Sequence, residues 1–129
     1  MSVKNVLKFM KDKEAEFVDL RFTDPKGKLQ HLTMDATMVD EEMINDGVFF
    51  DGSSIAGWKA INESDMILKP DPNRMFMDPF TSHNTLVLFC DILDAVKRTP
   101  YERDPRSVAK KAEAYLKKSG VGDKAFFGP

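Results

Sequence analysis

A chain of 129 residues, 42% apolar and 31% charged, has the composition of a folded domain and not of a disordered segment. Nineteen Lys and Arg against twenty-one Asp and Glu leave a net charge of −2, which excludes the basic field needed to bind nucleic acid or an anionic membrane. The single cysteine, Cys90, excludes an internal disulfide and fits a reducing cytoplasm, and no apolar run reaches transmembrane length.

Ser2 is placed to cap a first helix, in which Val3, Val6, Leu7 and Met10 recur at helical spacing with Lys4, Lys8 and Lys11 on the other side. Residues 16–23 read as a strand, Asp24-Pro25-Lys26-Gly27 as a turn with proline preset at its first central position, and residues 29–34 as the returning strand. The outward positions of this hairpin carry Asp19, Arg21, Lys28, Gln30 and His31. Residues 37–46 predict a second helix with Met38, Met43 and Ile44 inward, ended by Gly47. Val48-Phe49-Phe50 leads into a polar loop. Met66-Ile67-Leu68 predicts a brief strand, and Pro70 and Pro72 exclude a central sheet strand over the segment that follows. Met75-Phe76-Met77 precedes a break at Asp78-Pro79. Residues 85–92 are continuously apolar and predict a buried central strand. A polar linker over 97–104 leads to Asp104-Pro105, an N-cap acceptor followed by proline at the first helical position. Val108, Ala112, Tyr115 and Leu116 then fall on one helix face, and Gly120 ends it. Met34, Met38, Met43, Met66, Met75 and Met77 read as adaptable core filling. The order of elements is α+β: a domain of about 100 residues with an appended helix.

The chemistry-bearing stretch is Phe50-Asp51-Gly52-Ser53-Ser54-Ile55-Ala56-Gly57-Trp58, followed by Glu63-Ser64-Asp65. Ala56 stands where a nucleophile elbow needs its second glycine, and neither histidine, His31 or His83, is near in sequence to activate a serine. Gly52 and Gly57 have phosphate-loop spacing, but Trp58 stands where that motif needs lysine. No cluster of His and Cys has zinc spacing. Two readings of the loop stay open. Either Asp51-Gly52 forms a turn whose serines cap local backbone, or a carboxylate is held out to meet a cation.

Phe50-Asp51-Gly52-Ser53-Ser54, a gap of eight residues, then Glu63-Ser64-Asp65 and Leu68 resembles the N-terminal signature of glutamine synthetase. Phe22-Thr23-Asp24, Asp104-Pro105-Arg106-Ser107 and Phe127-Gly128-Pro129 extend the resemblance to the bacterial class I form along the whole chain. The resemblance implies a β-grasp-like domain over 1–98, a mixed sheet with packed helices. Residues 99–129 are then the linker, the first helix and the start of the first strand of a truncated catalytic domain. It implies subunits assembled as a dodecamer of two hexameric rings, with each active site shared between a catalytic domain and a neighbour's β-grasp domain. By position, Asp51 matches the family aspartate of the ammonium pocket, Ser54 a serine lining it, and Asp65 a second acidic residue near the interface. The implied substrates are glutamate, ammonium and ATP, with Mg2+ or Mn2+. The metal and nucleotide residues are expected outside this chain, which is therefore expected to be inactive alone.

The implied reaction makes sense of a carboxylate, because ammonium is the abundant nitrogen species at neutral pH and cannot attack until it loses a proton. A carboxylate–ammonium pair at about 4 Å is worth roughly 4 kcal/mol at an effective dielectric near 20, before desolvation is subtracted. Two alternatives remain: a stand-alone β-grasp interaction module, or a related ligase using a larger amine.

Overall fold

The computed structural model describes residues 2–55, 57 and 65–128. Helix α1, Val3–Asp12, buries Val6 and Met10 and turns its lysines to solvent, as the spacing predicts. Strands β1, Phe17–Thr23, and β2, Leu29–Asp35, form the expected antiparallel hairpin. Asp24 is buried inside its turn, where Oδ1 accepts from the N–H groups of Lys26 and Lys28, each at 2.9 Å.

The second helix is shorter than its pattern. A 3₁₀ turn occupies Ala36–Met38, Val39 is extended and buried, and helix α2 runs only over Glu41–Asp46. Asp40 starts it by accepting from the Met43 N–H at 2.8 Å. Two caps within five residues, Asp35 and Asp40, divide one apolar pattern into two elements. Ile44 is buried as expected, whereas Met38 lies in the 3₁₀ turn and is 68% exposed. Gly47 ends α2, and β3, Val48–Asp51, follows at once.

Strand β4 spans Asp65–Met77 and joins two segments that the sequence separates. Its neighbours are β5, Thr85–Asp94, and β3, so the prolines do not exclude a sheet strand here. Two features accommodate them. β3 pairs with β4 only at Asp65–Leu68, so Pro70 and Pro72 lie beyond its end. The ladder with β5 is also irregular between Pro70 and Met75. The missing N–H groups therefore fall where the sheet has an edge or a bulge.

The sheet order is β2-β1-β5-β4-β3, with β1 and β5 parallel and the other pairs antiparallel. The continuously apolar β5 is the central strand. One sheet face, carrying Val18, Leu20, Met66, Leu68, Leu86, Leu88 and Ile92, packs against α1 and α2 to make the core. Each fully buried Leu or Ile there contributes roughly 1.5–3 kcal/mol before ordering costs.

The other sheet face is partly polar. Asp19 is not an outward solvated residue: only 4% of it is exposed. Arg21 Nε, His31 Nδ1 and Thr33 Oγ1 lie at 2.7, 2.8 and 2.8 Å from its carboxylate, and Arg21 also donates to Asp78. These partners stand beside it on β1 and β2, which strand alternation alone does not reveal.

Helix α3, Pro105–Ser119, docks through charge and not through its apolar stripe. Val108 and Tyr115 are exposed, and Leu116 is half-buried. Arg106 reaches Asp91 at 2.9 Å and Asp71 at 2.8 Å, and Lys110 also meets Asp91. Asp104 is fully buried and accepts from the Ile92 N–H at 3.3 Å, the Ser107 N–H at 3.3 Å and the Ser107 hydroxyl at 3.0 Å. The cap thus joins the helix start to the central strand.

Burial raises the carboxyls of Asp19 and Asp71, but their hydrogen bonds outweigh it and hold both below the usual carboxylate range. For Asp19 the bonds come from Arg21, His31 and Thr33, and for Asp71 from the Asn73 backbone and Arg106. A depressed folded value gives stability that is complete above the unfolded value, 3.8, and is lost as pH falls through the folded one. The urea midpoint should therefore fall steeply below about pH 4. Arg106→Gln should cost roughly 2 kcal/mol at pH 7 and make that acid-side fall shallower, because Asp71 loses its partner. An unchanged acid slope in the variant would count against this account.

Candidate functional site

The Asp51 loop is held at both ends by the core. Phe50 packs its ring against Phe22, with centroids 5.4 Å apart, and Ile55 rests against the same apolar cluster. Between them Gly52 is buried, and Gly52–Ser54 form a 3₁₀ turn closed by the Ile55 N–H on the Gly52 carbonyl at 3.1 Å. Residues that must be apolar to anchor the loop therefore bracket residues that are polar and outward.

Asp51 is the last residue of β3 and faces Asp65, the first of β4, across the antiparallel ladder. Directly opposed residues in such a pair project to the same side of the sheet, with Cβ atoms about 5 Å apart. Both residues are exposed. Like charges placed opposite each other destabilise a ladder, and a cation between or beside them relieves that repulsion. Of the expected site residues, Asp51 and Asp65 are brought together, and Ser54 is the exposed last residue of the turn that Asp51 caps. Trp58, Glu63 and Ser64 lie outside the described residues.

From the sequence, Ser53 is expected only as a local cap of the turn and not among the site residues. Its N–H and its hydroxyl both donate to Asp51 Oδ1, at 2.9 and 2.7 Å. An Asp followed two places on by a hydroxyl residue is the available signal, and it is so common in turns that it does not by itself point to a site. Arg103 also reaches the loop, donating from Nη1 to the Gly57 carbonyl at 3.2 Å, so the segment leading to α3 touches it directly.

Other polar sites have different character. His83 stacks edge-on against Phe17, with centroids 5.6 Å apart, and lies 3.4 Å from Glu16. A cleft of about 510 Å³ opens where α3 meets the sheet, lined by Asp71, Arg74, Arg106, Lys110, Leu116 and Phe127 among others. Its Arg106 and Lys110 are engaged by Asp71 and Asp91, and none of its described lining residues belongs to the Asp51 loop. Cys90 is fully buried, and burial pushes its thiol well above its ordinary value. Among the described residues no group of three His, Cys, Asp or Glu is placed to hold a metal ion, and no helix is long and apolar enough to cross a membrane.

The family model for the glutamine synthetase β-grasp domain matches residues 14–95, well over half of the chain. A glutamine synthetase of Rhizobium meliloti is 65% identical over 128 residues, covering 99% of this chain and 27% of that protein. A Cupriavidus pinatubonensis protein named 3-hydroxylaminophenol mutase is 54% identical over the same length, again covering 99% of this chain and 27% of its own. Among solved structures, the cryo-EM glutamine synthetase of Plasmodium falciparum superposes with a TM-score of 0.81 at 24% identity, over 93% of this chain and 24% of that one. The chain thus spans about a quarter of the length of these relatives. The five-stranded mixed sheet with its packed helices is the β-grasp arrangement, and the chain belongs to the glutamine synthetase family.

Proposed function

We propose that this chain is the N-terminal part of an ATP-dependent glutamate–ammonia ligase, and that it presents the Asp51 loop to the ammonium side of an active site completed by a neighbouring subunit. The observation that carries the reading is the pairing of Asp51 with Asp65 at the exposed end of β3 and β4, within a chain 65% identical to a glutamine synthetase. Asp51 attracts the ammonium ion and helps remove its proton, Ser54 lines the same pocket, and Asp65 adds negative field. Residues 1–98 form the donated domain, and residues 99–129 begin the catalytic domain, with α3 as its first helix. This reading assigns the metal and nucleotide chemistry to the rest of the subunit; among the described residues no group of three His, Cys, Asp or Glu is placed to hold a metal ion.

The likeness to a protein named as a mutase supports a second reading, in which the same donated domain serves a different reaction. Two assays separate them. The 129-residue chain alone is expected to release no phosphate from ATP in a glutamate- and ammonium-dependent manner. A chimera in which residues 1–128 replace the matching segment of the Rhizobium meliloti synthetase is expected to be an active ligase and to support growth of a glutamine auxotroph. Ligase activity in the isolated chain, or a folded and assembled chimera with none, would overturn the proposal.

A further inference from the structure

We propose that Ser53 is the positioning residue of the Asp51 carboxylate, fixing the orientation in which the loop offers its charge to the cation. This rests on the reading of Asp51 given above and adds the device that aims it. Both donors of Ser53 converge on one oxygen, Oδ1, the N–H at 2.9 Å and the hydroxyl at 2.7 Å. Two bonds to one oxygen, from a residue two places on, lock the side-chain torsions of Asp51 against the loop's own backbone. That backbone is immobilised in turn. Asp51 is paired with Asp65, Gly52 is buried, and Phe50 and Ile55 pack on the core. Ser53 is half-buried and its hydroxyl is spent on Asp51, while Ser54 is exposed.

The same chain contains a matched reference. Asp35 and Thr37 make the identical pair of bonds, with the Thr37 N–H at 2.8 Å and its hydroxyl at 2.6 Å from Asp35 Oδ1. The Thr37 hydroxyl, its N–H assisting, holds the Asp35 carboxyl below the usual range, as expected when hydrogen bonds favour the charged form. Threonine therefore serves in this role as well as serine does, which supplies a conservative variant for a rescue test. The Asp35 turn also shows that the motif has a purely structural use, so the test must read something that a capping role leaves unmoved.

In the chimera with the Rhizobium meliloti synthetase, Ser53→Ala keeps the N–H and removes the hydroxyl. It should raise the ammonium KM roughly tenfold, the size of one hydrogen bond to a charged group. The glutamate KM should stay within about twofold, and Ser53→Thr should restore the ammonium KM to a similar margin. Asp51→Asn is measured in parallel. If Asp51→Asn raises the ammonium KM and Ser53→Ala does not, the positioning role is wrong and the role of the loop survives. If Asp51→Asn changes nothing, the underlying reading fails and this proposal with it. If Ser53→Ala lowers the urea midpoint and shifts all constants together, with no rescue by threonine, Ser53 is a structural cap and the proposal is overturned.

Discussion

Gly47→Ala is expected to destabilise the domain by about 4 kcal/mol, enough to unfold a marginal domain at moderate temperature. Gly47 has φ +82° and ψ −179°, a region open essentially to glycine alone. Space is lacking as well. A Cβ there would sit 2.6 Å from the Leu68 carbonyl oxygen, 3.2 Å from its carbon and 2.5 Å from Ile67 Cγ2. The Ile67 methyl can move, but the Leu68 carbonyl belongs to β4 at the point where it pairs with Val48. Relief therefore requires β3 to shift, and Asp51 is three residues further along that strand. Gly120 provides the control: its φ is +74° and nothing lies within 4 Å of an added Cβ. Gly120→Ala should cost only about 1 kcal/mol, the ordinary penalty for a left-handed alanine. Urea unfolding of both variants at pH 7 checks the pair. A loss at Gly47 no larger than at Gly120 would show that β3 is not clamped there.

What the sequence discloses about this fold is what local pattern encodes. The hairpin turn at Asp24-Pro25, the terminal helix cap at Asp104 and the central position of residues 85–92 are each written in adjacent residues, and each is found in place. The failures lie where a neighbouring strand decides the outcome. Pro70 and Pro72 argue against a sheet strand until it is known that β3 stops short of them. Asp19 looks like an outward charge until Arg21, His31 and Thr33 are seen to enclose it. The stripe from Val108 to Leu116 looks like the docking face of α3, yet the helix is held by Asp104, Arg106 and Lys110, whose partners Asp71, Asp91 and Ile92 lie on β4 and β5. The candidate site shows the same division. A polar loop with a carboxylate is legible from residues 50–54, whereas the opposition of Asp51 and Asp65 exists only once β3 and β4 are in register. Which serine meets the carboxylate is settled by the direction of the turn, and composition is silent on it.

Asp51→Asn should raise the ammonium KM of the chimeric synthetase on the order of 100-fold while leaving the glutamate KM near its original value. The substitution isolates charge from shape. Asparagine keeps an oxygen that can accept both bonds from Ser53, so the turn over Gly52–Ser54 and its closure onto Ile55 are preserved. What disappears is the attraction for a cation and the acceptor for its proton. Asp65 remains opposite and retains part of the field, so the effect falls short of the full Coulomb term. Two further readouts follow from the same physics. Raising the pH increases the share of free ammonia, which needs neither attraction nor deprotonation, so the variant should gain more activity than the parent at alkaline pH. Added salt should weaken ammonium binding more in the parent than in the variant, because the parent presents two exposed carboxylates there and the variant one. An ammonium KM unchanged by the substitution, with no difference in pH or salt response, would remove Asp51 from the ammonium pocket and leave its loop as a capped turn.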